Sequence, residues 1–98
     1  MIEVRKTETY AAWFAALRDR RAKARIDIRI RRLSLGNAGD AKSVGGGVSE
    51  LRIDYGPGYR LYFVRRGAAV VILLCGGDKG SQARDIERAQ KMAGELED

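Results

Sequence analysis

The sequence contains no histidine, one cysteine (Cys75) and one proline (Pro57). Without imidazole, the side chain that most readily exchanges a proton near neutral pH is missing, so acid–base chemistry falls to Lys, Tyr, Asp, Glu or the thiol. The nitrogen and sulfur ligands that hold zinc are missing too, and no carboxylate cluster stands in for them. Neither a metal nor another cofactor is expected. A lone cysteine cannot close an internal disulfide, and within VVILLC it reads as a small buried hydrophobe. The longest apolar run, residues 68–75, is eight residues long, whereas a bilayer-spanning helix needs about 20. The opening MIEVRKTETY lacks the hydrophobic segment of a signal peptide. The expected location is cytoplasmic, with no membrane partner.

What is present is charge on an ordinary hydrophobic base. The chain has 98 residues, 45% hydrophobic and 33% charged, the mix of one folded domain spanning residues 1–98. A core of that size leaves any site on its surface. Nineteen Lys and Arg against thirteen Asp and Glu give a net charge of +6, a field that attracts polyanions. RNA, DNA and acidic proteins are the candidate partners.

Along the chain, IEV reads as a short strand leading into a helix, with Thr7 or Thr9 as its cap. Tyr10, Trp13, Phe14 and Leu17 recur at i, i+3, i+4 and i+7, an apolar helical stripe that belongs to the core. In residues 18–32, eight of fifteen residues are Lys or Arg, while Ala22, Ile26, Ile30 and Leu33 share one face. The alternation in RIDIRIR fits a strand, but its length and its Ala, Arg and Lys content favour a second helix with a basic outer side. Residues 36–47, GNAGDAKSVGGG, read as a flexible loop. ELRIDY and the stretch from Tyr59 form a hairpin around Gly56, Pro57 and Gly58. The expected register sets Tyr55 opposite Tyr59, Ile53 opposite Leu61, Leu51 opposite Phe63, Asp54 opposite Arg60 and Arg52 opposite Tyr62. A turn at Arg66 and Gly67 leads to the unbroken apolar run of a central strand. GGDKGSQ then breaks regular structure, and a last helix begins near Ser81 with Ile86, Ala89, Ala93 and Leu96 on one face. The order β-α-α-β-β-β-α indicates an α+β fold, with helices on one side of a mainly antiparallel four-stranded sheet.

Chemistry concentrates on the hairpin. Arg52, Arg60 and Tyr62 are expected on the sheet face opposite Leu61 and Phe63, with Lys79 reaching the same side from the end of the next strand. Guanidinium matches the oxygens of a phosphate, and an adjacent ring can stack on a base. The other reading is a pair of surface salt bridges, Arg60 with Asp54 and Arg52 with Glu50, that contribute little. If the face cleaves RNA, Lys79 is the candidate general base for a ribose 2′-hydroxyl, and the arginines stabilise charge developing on the phosphate. Arg25, Arg29 and Arg32 on the second helix, with Arg65 and Arg66 at the hairpin's far end, are candidate RNA contacts. A basic helix run of this kind is more often a solvated face, and its functional reading is a contact surface for ribosomal RNA or for an acidic protein segment. CGGDKGS does not have the order of a Walker phosphate loop, because Lys79 lies between Asp78 and Gly80.

ELRIDYGPGYRLYFVRRG, continued through VVILLCGGDKGSQARDIERA, resembles the phage Gp49/HigB-like branch of the RelE/ParE toxin superfamily, the addiction module killer proteins. The resemblance spans nearly the whole chain and implies a RelE-like fold. It further implies a toxin of a type II toxin–antitoxin module: a metal-independent endoribonuclease that cuts mRNA on the ribosome, or, as in ParE-like members, an inhibitor of DNA gyrase. A non-catalytic nucleic-acid-binding module is the third reading. Arg60 in GYR matches the strand arginine that contacts the phosphate in RelE-type toxins. Arg52 falls near basic positions of the preceding strand, and Lys79 near a basic residue after the last one. The C-terminal tyrosine of RelE proper and the histidines of some HigB proteins have no counterpart, which leaves Tyr62 or Lys79 to fill that role. The implied partners are mRNA on the ribosome and a HigA-like antitoxin carrying a helix-turn-helix DNA-binding domain.

Overall fold

The first ordered choice along the chain is made by Thr7, in the computed structural model, which describes residues 1–96. Strand β1 (Glu3–Lys6) ends there, and the Thr7 hydroxyl accepts from the Tyr10 amide at 3.0 Å and donates to the Leu74 carbonyl at 2.6 Å. One side chain thus caps α1 (Glu8–Ala16) and ties its start to the sheet. Asp19 repeats the device for α2 (Arg20–Ser34), accepting from the amides of Arg21 and Ala22. The helical reading of the basic run holds: Ala22, Ile26, Ile30 and Leu33 are all buried.

Five strands form one sheet in the order β1-β5-β4-β3-β2, where β2 is Ala41–Gly45, β3 is Val48–Ile53, β4 is Tyr59–Arg66 and β5 is Val70–Asp78. β1 runs parallel to β5 and the other pairs are antiparallel. The sheet therefore has five strands, not four. The additional strand, β2, lies in the stretch expected to be a flexible loop. Its sequence AKSVG has little apolar alternation, and backbone pairing with β3 makes it a strand. Gly45, Gly46 and Gly47, all at positive φ, carry the reversal between them.

The helices do not share one side. Tyr10 of α1 and Ile26, Ile30 and Leu33 of α2 pack on Leu51, Leu61, Phe63 and Leu73, with Trp13 and Phe14 beside them. The last helix, α3 (Gln82–Glu95), covers the opposite face, where Ala89, Ile86 and Met92 meet Val48, Tyr62, Val64, Leu74 and Cys75. A register shift between Tyr62 and Phe63, opposite Cys75 and Leu73, leaves Leu74 as an extra residue in β5. Leu74 and Cys75 consequently both enter this second core. Two covered faces explain the unbroken apolar run of β5, and burial pushes the Cys75 thiol up to about 11.

Two further expectations are corrected. The hairpin register is shifted by two: Arg52 stands opposite Arg60, Leu51 opposite Leu61, Glu50 opposite Tyr62 and Ile53 opposite Tyr59. The chain leaves the ladder after Ile53 and turns through residues 54–58, closed by the Gly58 amide donating to the Tyr55 carbonyl at 3.1 Å, with Gly56 and Gly58 at positive φ. An even shift keeps every side chain on its expected face. Gly76, Gly77 and Asp78 do not break structure either; they complete β5. A Cβ on Gly76 would lie 2.4 Å from the Trp13 ring, and one on Gly77 would lie 1.9 Å from the Asp85 carboxylate. Both glycines are there because helices press on the strand from either side.

Candidate nucleic-acid interface

Register places the cations. Arg52 and Arg60 are cross-strand partners next to the turn of the hairpin, and Tyr59 pairs with Asp78, so the residue after Asp78 emerges at the same end of the sheet. That residue is Lys79, the first of a single 3-10 turn (Lys79–Ser81) that Asp78 caps by accepting from the Gly80 amide at 2.8 Å. Arg52, Arg60 and Lys79 line one open cleft of about 410 Å³, with the glycines of the 56–58 turn along one wall and Asp40 and Asp54 on its rim. Gly58 stands beside both cations, since a Cβ there would be in ordinary contact with Lys79 Cβ at 3.4 Å and Arg60 Nη1 at 3.6 Å, and its φ of +80° is what calls for glycine.

Beneath the cations lies a carboxylate. The Glu50 side chain is 0% exposed, against 33% for Arg52 and 12% for Arg60. Its Oε1 accepts from Arg52 Nε at 3.1 Å and lies 3.9 Å from Arg60 Nε. Its Oε2 accepts from the Tyr62 hydroxyl at 3.1 Å and from Gln82 Nε2 at 2.8 Å. Burial alone raises a carboxyl's pKa. Here the hydrogen bonds from Gln82, Arg52 and Tyr62, with the charge of Arg52, outweigh that and hold Glu50 below the usual carboxylate value. The Arg52–Glu50 bridge expected at the surface therefore exists, but its acidic half is entirely buried. Arg60 faces Glu50 as well, rather than pairing with Asp54 as a surface bridge would require.

Tyr62 shares the sheet face of Arg60, but α3 covers it there. It is 0% exposed within the α3 core, and burial, followed by the neighbouring Glu50 charge, shifts its hydroxyl strongly upward. It supports the floor of the cleft instead of lining it. The outlying candidates divide. Arg65 and Arg66 stand at the far end of β4, opposite Val71 and Val70, and the structure does not bring them to the cleft. Arg25, Arg29 and Arg32 line a neighbouring groove of about 300 Å³ that shares Ile53 and Asp54 with the cleft. Within that group Arg29 is a brace: its guanidinium donates to the carbonyls of Arg52 and, at 3.1 Å, Ala38. Arg25 lies 4.7 Å from the centre of the Tyr55 ring, a cation–π contact.

Sequence reasoning missed Glu50 as the hub, Gln82 as its partner on α3, and the rim carboxylates Asp40 and Asp54. Alternation in ELRIDY puts Glu50 on the polar face of the hairpin, and only the placement of α3, through Gln82, shows that it is covered. No group of His, Cys, Asp and Glu among the described residues is arranged to hold a metal ion, and no helix of the described residues is long and apolar enough to cross a membrane.

The fold and cleft define a small basic α+β protein with an arginine-lysine cleft at one end of its sheet. The sequence profile of the family described as phage derived protein Gp49-like matches residues 12–93, and the chain belongs to that family. It is also 50% identical over 95 residues to an uncharacterized protein of Haemophilus influenzae, covering 97% of this chain and 96% of that one. Membership in the Gp49-like family points to the toxin of a toxin–antitoxin module, with a cognate antitoxin as partner.

Proposed function

We propose that the protein is a metal-independent endoribonuclease that cuts mRNA on the ribosome and so arrests translation, and that its cognate antitoxin is a HigA-like, helix-turn-helix protein. The observation that carries this reading is the convergence of Arg52, Arg60 and Lys79 on one open cleft. In the proposed reaction Lys79 takes the proton of a ribose 2′-hydroxyl. The 2′-oxygen bonds to phosphorus, the bond from phosphorus to the 5′-oxygen breaks, and that oxygen is protonated from solvent, leaving a 2′,3′-cyclic phosphate and a 5′-hydroxyl. Arg60 and Arg52 hold the non-bridging oxygens as their charge grows. Arg25 and Arg32, on the adjoining groove, extend the basic surface along which an RNA strand continues.

Overproduction of the wild type is expected to stop protein synthesis and to yield new mRNA 3′ ends. The Arg60→Ala variant should lose about 100-fold or more of the cleavage rate, the scale on which removing one charge-stabilising donor acts. Equal toxicity and identical ends from both would overturn the reading. Arrest of DNA supercoiling by purified gyrase in place of mRNA cleavage would assign the cleft to a ParE-like role.

A further inference from the structure

Two arginines directly opposite each other on adjacent strands repel, and such pairs destabilise a sheet unless something between them compensates. Arg52 and Arg60 are such a pair. The compensation is not symmetrical surface pairing but one buried oxygen: Glu50 Oε1 lies 3.1 Å from Arg52 Nε and 3.9 Å from Arg60 Nε. The other carboxylate oxygen is fixed from below by the Tyr62 hydroxyl at 3.1 Å and from α3 by the Gln82 amide at 2.8 Å. A carboxylate held by three hydrogen bonds cannot rotate to follow either arginine, so each arginine must settle relative to it.

We infer that Glu50 is a positioning residue that fixes the spread of the Arg52 and Arg60 guanidinium groups, by a hydrogen bond from Arg52 Nε at 3.1 Å and by charge attraction to Arg60 Nε at 3.9 Å. Arg52, anchored at Nε, keeps its Nη ends for a forked grip on phosphate oxygens, while Arg60 Nη1 also donates to the carbonyls of Gly58 and Tyr59 at 3.4 Å, which orients that guanidinium from the turn. Glu50 is 0% exposed and does not line the cleft, so it reaches the reacting atoms only through the arginines. Gln82, at the first position of α3, makes that helix part of the positioning frame. The inference rests on the reading of the cleft as an RNA-cleaving site.

The test compares wild type, Glu50→Gln and Gln82→Ala in two assays: cleavage of a defined mRNA in a reconstituted translation reaction, and binding of a single-stranded RNA oligonucleotide to the isolated protein. Glu50→Gln keeps the side-chain shape but raises the net charge by one. A carboxylate that merely opposed RNA binding would, on removal, give tighter binding and faster cleavage. Positioning predicts a split: kcat for cleavage falls about 10–100-fold, as small misplacements of catalytic groups do, while oligonucleotide affinity is unchanged or rises. Gln82→Ala, which removes one hydrogen bond from Oε2, is expected to lower kcat about 3–10-fold and remains the deciding variant if Glu50→Gln does not fold. Cleavage at the wild-type rate in a folded Glu50→Gln protein, or in Gln82→Ala where that variant decides, overturns the inference and leaves the proposed function standing. A wild type that neither cleaves mRNA nor binds the oligonucleotide removes the proposed function, and this inference with it.

Discussion

Gly76 and Gly77 sit where two helices close on one strand, and that contact gives the end of β5 its shape. The ring of Trp13 lies against Gly76 and the Asp85 carboxylate against Gly77, closer than any Cβ would allow. Replacing Gly76 with Ala would force Trp13 aside, and Trp13 belongs to the core formed with Tyr10 and Phe14. Gly76→Ala is expected to destabilise the fold by about 1–3 kcal/mol, the usual cost of overpacking, measured by urea unfolding. A variant as stable as the wild type would show that α1 does not press on β5 as described. These glycines also show where sequence reading stops. GG before DKG looks like a break because glycine most often marks one, and what selects it here is a long-range approach that no local window contains. Arg52 and Arg60 were legible because alternation fixes their face, and an even register error leaves that face unchanged; Lys79 was legible from its place just beyond the neighbouring strand. Tyr62 shares their face, yet alternation says nothing about which stretch of a face a later helix covers.

At the level of elements, the same distinction separates what local pattern reveals from what packing decides. The two N-terminal helices announce themselves through periodicity and caps. Thr7 does more than its sequence signature suggests, because its hydroxyl also donates to Leu74 on β5 and thereby links the first helix to the central strand. Thr7→Ala should cost about 1–2 kcal/mol, toward the upper end for a lost cap, which for a domain of this size lowers Tm by about 4–8 °C per kcal/mol. Thr7→Ser, retaining both bonds, should recover most of it; an Ala variant that melts with the wild type would mean that the cap is dispensable. The side on which α3 packs was not legible. Its stripe of Ile86, Ala89 and Ala93 is sound evidence of an apolar face, but a stripe does not say which face of the sheet it meets. The edge strand β2 was hidden for the opposite reason: Ala41 and Val44 touch different cores, and the segment is held mainly by the β3 backbone.

For the whole molecule, buried ionisable groups set the pH range over which this arrangement is stable. At the acid end Glu50 governs. Its folded-state pKa is depressed because the hydrogen bonds from Gln82, Arg52 and Tyr62 outweigh the effect of burial. The stability it contributes is therefore complete above its unfolded value of about 4.3 and lost as pH falls through the folded value. At the alkaline end the signs reverse. Burial raises the Cys75 thiol to about 11 and lifts Tyr10 and Tyr62 as well. Unfolded thiol and phenol ionise at about 8.5 and 10, so stability is complete below about 8.5 and declines as pH rises toward the folded values. Urea midpoints should stay level between about pH 5 and 8 and fall on both sides. Glu50→Gln should flatten the acid limb and, by removing a charge that helps lift Tyr62, soften the upper part of the alkaline limb, while Cys75→Ala should flatten the first part of the alkaline limb. An acid limb equally steep in Glu50→Gln would mean that the carboxylate beneath the arginines is not held as a charged group, and the cleft would lose the anchor that keeps its two guanidinium groups in register.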